Sequence, residues 1–228
     1  FQCVMTRSML GQADADSAHG LAVQAIEAQE DGRFAEAQDL VRQSRTRYEQ
    51  ALLQRPLDAE LRLQYAAVLA RLVHSDGYTN PPLFERTVGL YREAAELDRA
   101  SPAPHVRLAQ FFERAAYARA GALLAPYVEQ YTSARRGPSR EPRYLPAVAE
   151  YEAALERDPN RPKLHLMLGQ ALWKLGEPNA ARRHADRALE LHKMLVEHFA
   201  GHILRLRPQE LREAEELLEK TGGGRTAP

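Results

Sequence analysis

Three stretches of this chain close in the same way. Residues 48–56 read YEQALLQRP, residues 91–99 read YREAAELDR and residues 151–159 read YEAALERDP. In each, an aromatic residue stands three positions before an alanine, so on a helix a ring and a methyl group share one face and that face can nest against a neighbouring helix. Recurrence of a helical unit is the strongest constraint the chain carries. One helix pair cannot cover its own apolar face, and about three pairs must stack before a continuous core exists.

The composition agrees with helix. Ala, Leu, Arg, Glu and Gln are abundant and Val, Ile and Thr are scarce, which favours residues that lose little side-chain entropy in a helix over those that suit strands. Lys plus Arg and Asp plus Glu both number 31, so there is no global field to draw in nucleic acid or an anionic membrane surface. The single cysteine, Cys3, rules out an internal disulfide and reads as a thiol at a frayed end, with lipidation or cross-linking as the functional alternative. No apolar run reaches the 18 or so residues of a membrane span.

The clearest unit covers residues 162–193. Leu168-Gly169, Leu172, Gly176, Ala181, Ala185 and Ala188-Leu189 follow one another at a spacing that fits a helix, a turn and a second helix. Gly169 allows two helices to approach closely, Gly176 permits a positive φ at the turn, and Pro178 suits a first helical turn. This pattern resembles the tetratricopeptide repeat (TPR). Three earlier units follow it less strictly: Leu21, Ala25, Ala28 and the turn Gly32-Arg33-Phe34; Tyr65-Ala66 and Leu69; Leu108-Ala109 and Phe112.

The expected fold is therefore all-α: a right-handed solenoid of TPR-like antiparallel helix pairs, with extended helices, insertions and a C-terminal capping helix. The units fall at about 17–56, 57–99, 102–159 and 160–195 within one solenoid of residues 17–220, preceded by an extension (1–16) and followed by a flexible tail (221–228). Long helices are expected near 35–54 and 178–200, a loop at 74–82, an additional helix from about 120 to 134, and a cap at 208–220 whose Leu211, Ala214, Leu217 and Leu218 line one face.

What the resemblance implies for function is a concave groove lined by the first helix of each pair, where peptides bind. In the Leu-Gly register the groove side carries Gln64, Arg71, Arg107, Gln110, Arg114, Lys163, Gln170, Trp173 and Lys174. Arg and Trp dominate binding hot spots because a planar fork and a broad ring bury well at low entropy cost; the plainer reading packs Trp173 between repeats and leaves the arginines solvated. The Lys and Asn of a carboxylate clamp are missing, since Ala22, Ile26, Gln64, Glu60 and Arg107 occupy the matching positions, and this disfavours a heat-shock chaperone adaptor.

Other constellations are weaker. His198 and His202 stand four apart but lack a completing carboxylate, so solvated or structural histidine is the better account. The loop over residues 135–143 holds Arg135, Arg136, Arg140 and Arg143, a phosphate-clamping composition that on a neutral chain without interleaved aromatics reads as a solvated loop. There is no glycine-rich phosphate loop, GxSxG elbow, HExxH or CxxCH. The expectation is a non-catalytic scaffold or adaptor without cofactor, metal or small-molecule substrate, holding one or more protein partners. The alternative is a structural subunit that self-associates or docks permanently in an assembly, because head-to-tail contacts that do not close propagate. The start at Phe1 leans the location toward a processed envelope or exported protein, with the cytoplasm as the alternative.

Overall fold

The computed structural model describes residues 2–132, 140–198 and 204–222, with side chains from residue 11 onward. Among the described residues every regular element is helical: α1 (Gln2–Glu30), α2 (Phe34–Gln54), α3 (Ala59–Ser75), α4 (Pro81–Leu97), α5 (Ala103–Tyr117), α6 (Gly121–Thr132), α7 (Leu145–Arg157), α8 (Pro162–Leu175), α9 (Pro178–His198) and α10 (Pro208–Gly222), with a turn of 3-10 helix at Pro142–Tyr144. The chain forms two compact units, Phe1–Arg99 and Ala100–Pro228.

In the first unit, α1 is helical from Gln2, so the segment read as an extension is the first half of this helix. Its buried stripe is made of alanines, Ala15, Ala18, Ala22, Ala25 and Ala28, three or four positions apart as one helix face requires. The long helix expected near 35–54 is α2, and it runs antiparallel to α1. Asp14 near the middle of α1 accepts from Arg47 (3.0 Å) and Gln54 (3.1 Å) in the second half of α2, and the buried Ser44 hydroxyl, nearer the middle of α2, donates to the Ala18 carbonyl at 2.8 Å. The helix stops just before Pro56, where the residue preceding proline is pushed out of the helical region.

The second hairpin is capped at both starts. Asp58 accepts from the Leu61 N–H (2.8 Å) and Asn80 from the Leu83 N–H (3.2 Å), satisfying donors that a helix N-terminus leaves open. The loop between them is shorter than expected, because α3 continues to Ser75 and α4 opens at Pro81. Gly77 and Tyr78 both take φ of +62°, and the Tyr78 N–H returns to the Val73 carbonyl at 2.9 Å. That tight reversal lets α3 and α4 bury Leu61, Tyr65, Leu69 and Val73 with Phe84, Val88, Leu90 and Tyr91.

In the second unit α5 packs on α7, and the additional helix is α6, tied in by Leu124 (buried) and by Tyr127, whose ring lies 5.1 Å from that of Phe112. The α8–α9 turn follows its local chemistry. Gly176 has φ +95°, its N–H bonds the Trp173 carbonyl, the Glu177 N–H bonds the Leu172 carbonyl, and α9 opens at Pro178. At Gly169 both neighbouring helices come close to α8: a Cβ there would sit 3.1 Å from the Ala181 carbonyl oxygen of α9 and 3.1 Å from Leu217 of α10. The capping helix α10 packs on both, with Leu206 and Ala214 joining Leu166 and Ala188 in one buried cluster.

Candidate interaction surface

Of the nine residues read as a binding face, Gln64 and Arg71 lie on α3 of the first unit; the other seven lie on α5 and α8 of the second. Gln64 is half-buried and donates to Glu60 at 3.0 Å. Arg71 is exposed and has no side-chain partner among the described residues. The two border a hollow of about 160 Å³ with His19, Val23, Ile26 and Val68.

On α5, Arg107 and Arg114 are exposed and Gln110 is half-buried; neither arginine has an ion-pair partner among the described residues. The residues of α8 are in a different state. Lys163 Nζ lies 2.7 Å from Glu210 and Gln170 Nε2 lies 3.0 Å from Glu213, so both are engaged by the capping helix. Lys174 pairs with Glu113 of α5 at 2.5 Å and rests 5.8 Å from the centroid of the Tyr144 ring. Trp173 is half-buried, neither sealed in the core nor fully offered to solvent. The positive strip is thus partly neutralised from within the chain, and Arg107 and Arg114 remain its open charges in this unit.

The anchoring of α10 has a clear electrostatic basis. Burial pushes the Glu210 carboxyl up, but the Arg207 N–H, Lys163 and the Arg207 guanidinium together outweigh it and bring the pKa down to about 2. Glu210 is the third residue of α10 and bonds back to the N–H of the residue before the helix at 2.8 Å, one half of a capping box.

Two partly buried polar networks have no local signature in the sequence. Glu150 accepts from the Tyr131 hydroxyl at 2.7 Å and pairs with His105 Nδ1 at 2.7 Å, joining α5, α6 and α7. The partners stand 19 and 45 residues away along the chain, so only the fold brings them together. No hydroxyl or thiol meets the buried His105 Nε2, which has no partner among the described residues; the group reads as a brace. His165 and His184 bridge α8 and α9 through Nδ1 atoms 3.0 Å apart, with His165 Nε2 3.0 Å from the Pro159 carbonyl. An Nε2–H donating to that carbonyl leaves His165 Nδ1 as acceptor and His184 Nδ1–H as donor, a pair in which both rings are neutral. Burial lowers both pKa values, that of His184 to about 4 with help from His165 and Arg183, and Arg187 lowers that of His165 further.

Among the described residues no group of three or more His, Cys, Asp or Glu converges as a metal site, and no helix is long and apolar enough to cross a membrane. His202, Arg135 and Arg136 lie outside the described residues, as does the side chain of Cys3. Arg143, from the same basic loop, pairs with Glu141 at 3.1 Å and covers the Tyr144 ring at 5.6 Å.

The architecture is that of an all-α helical-repeat protein. The tetratricopeptide repeat family model matches residues 143–194, from the 3-10 turn before α7 into α9. Among solved structures, PilF of Pseudomonas aeruginosa is 15% identical, over 92% of this chain and 79% of its own length, at a TM-score of 0.45. A monomeric mutant of IFIT1 solved with Gppp-AAAA is 15% identical over 90% of this chain, which spans 42% of that protein, at a TM-score of 0.46. MamA is 17% identical, over 82% of this chain and 99% of its own, at 0.27. No curated protein matches the sequence.

Proposed function

We propose that this protein is a non-catalytic scaffold or adaptor that holds a protein partner on the first-helix faces of its repeats. The observation that carries the reading is the pair Arg107 and Arg114, exposed two turns apart on α5 with no ion-pair partner among the described residues, whereas the neighbouring Lys163, Gln170 and Lys174 are already bonded to Glu210, Glu213 and Glu113. Exposed arginines have lost little water and keep a fork of donors for a partner's carboxylates. On this face Gln110 and Trp173 are the accompanying contacts, and on α3 Gln64 and Arg71. The residues with an interior chemistry, Glu150, His105 and Tyr131, bond to one another in the manner of structural braces, which supports a binding role over catalysis.

The test is affinity capture from the native source with the unaltered chain and with a triple variant Arg107→Ala, Arg114→Ala, Trp173→Ala. Loss of a captured protein from the variant supports the assignment. A partner retained unchanged by the variant refutes it.

A further inference from the structure

Two histidines on neighbouring helices of the second unit point ring nitrogens at each other. His165, near the start of α8, and His184, in the second turn of α9, hold their Nδ1 atoms 3.0 Å apart. Their ring centres are 5.3 Å apart, with the planes 27° from parallel. That separation is little more than the nitrogen–nitrogen distance plus the two ring radii, so both nitrogens lie on the line between the centres and in both ring planes. The rings therefore meet head to head, with a lone pair and an N–H on one axis.

The outer end of one ring is fixed. His165 Nε2 lies 3.0 Å from the Pro159 carbonyl oxygen, which can only accept, so Nε2 carries the proton and Nδ1 presents the lone pair. A backbone carbonyl holding one ring nitrogen is the usual way in which a protein aims the other at a metal. Both residues are half-buried, which leaves each ring an edge toward solvent.

The surroundings select the ion. Among the described residues no third His, Cys, Asp or Glu joins the pair as a metal-holding group, so a dication that needs four ligands would find two. Arg187 acts on His165 and Arg183 on His184. Arg187 is answered by Glu190 at 2.7 Å, and Arg183 has no carboxylate partner among the described residues. A monovalent ion brings half a dication's charge into that field. A d10 ion of that charge accepts two ligands in line, as these nitrogens already stand, and imidazole suits copper.

We propose that the His165–His184 pair binds one copper(I) ion in line between its two Nδ1 atoms, with silver(I) as the redox-silent analogue. Metal–imidazole bonds of about 2 Å require the nitrogens to part by about 1 Å, which rotation of two half-buried rings supplies. The ion displaces the Nδ1–H of His184 and that proton is re-added at His184 Nε2, so both rings stay neutral and no electron is transferred. The inference is independent of the scaffold reading.

The test is a titration of the full chain with silver(I), followed by long-range proton–nitrogen NMR of the imidazoles. Cys3 is a competing soft ligand, so the chain carries Cys3→Ser. The Nδ1 resonances of His165 and His184 are expected to move together and to saturate at one ion per chain, with the proton on His165 Nε2 retained. In competition with a chromophoric copper(I) chelator, His165→Asn and His184→Asn should each weaken binding at least about tenfold. Circular dichroism verifies that these variants are folded, and the NMR result on the unaltered pair stands without them. Silver(I) that leaves both Nδ1 resonances unmoved, or copper(I) affinity unchanged by both replacements, overturns the site. Zinc(II) moving the two resonances at concentrations where silver(I) does not makes the pair a dication site, and the proposal fails.

Discussion

Glu210 Oε1 lies 2.7 Å from Lys163 Nζ across the seam between α10 and α8, and the same carboxylate accepts the backbone N–H of Arg207. One side chain therefore starts a helix and fastens it to its neighbour. The two tasks differ in magnitude. Removing Lys163 takes away a half-exposed cation, an effect of about 0–1 kcal/mol, whereas removing Glu210 also leaves a donor without its acceptor, about 1–3 kcal/mol. Chemical denaturation is expected to rank Glu210→Ala well below Lys163→Met in stability; equal losses would show that the cap contributes nothing.

Acid is expected to weaken the second unit in two stages. His165, His184 and His192 all have lowered pKa values in the fold, with burial as the leading cause. The unfolded chain therefore binds protons first, and stability falls as pH drops from the usual 6.5 toward about 4. Glu210 has the opposite origin with the same sign, since its depressed pKa contributes stability that is lost between about 4.5 and about 2. Thermal melts between pH 7.5 and 4.5 should show a falling midpoint, and a His184→Asn chain should fall less. A midpoint that is flat over that range contradicts the neutral pair.

Tyr48 and Tyr65 separate ring from hydroxyl. The Tyr48 ring is fully buried on Tyr65, but its hydroxyl has no hydrogen-bond partner among the described residues, while the Tyr65 hydroxyl donates to Glu49 at 3.1 Å. Tyr48→Ala is expected to cost about 3–5 kcal/mol. Tyr48→Phe deletes an unsatisfied buried group and should be neutral or stabilising by up to about 1 kcal/mol, with Tyr65→Phe the more costly of the two. Urea titrations of the three variants measure the ranking.

Two glycines inside helices should respond oppositely to the same substitution. Nothing lies within 4 Å of a Cβ built on Gly20, so Gly20→Ala removes backbone freedom from the unfolded chain and gains about 0.5–1 kcal/mol. Gly169→Ala meets the Ala181 carbonyl and Leu217 at 3.1 Å, and overpacking of that kind costs about 1–3 kcal/mol. Melting temperatures moving in the same direction for both would contradict the close approach of α9 and α10 to α8.

Much of the architecture is readable before any coordinates because its determinants are local. Gly176 and Pro178 mark the α8–α9 turn within three residues, Pro56 marks the end of α2, and the alternation of apolar and charged residues after Pro208 marks α10. The loop at 74–82 reads too long because Gly77 and Tyr78 concentrate the reversal into two residues. The candidate surface is readable as a helix face and no further. The residue pattern places Lys163 and Gln170 on one side of α8, but the ion pair of the first and the hydrogen bond of the second depend on Glu210 and Glu213 arriving from 47 and 43 residues away, and nothing at either position announces its partner. The His105–Glu150–Tyr131 brace is hidden for the same reason.

The alanine stripe of α1 has a consequence for how the molecule comes apart. Methyl groups let α1 and α2 lie close, yet each removes little oily area from water, so Ser44 and the bonds that Asp14 makes count for more in this pair than such bonds do between larger side chains. Amide protons of α1 and α2 should trade with heavy water sooner than those of α3 and α4, where Tyr65, Leu69, Phe84 and Leu90 exclude solvent more completely. Added salt, by screening Asp14 from Arg47, should widen that difference.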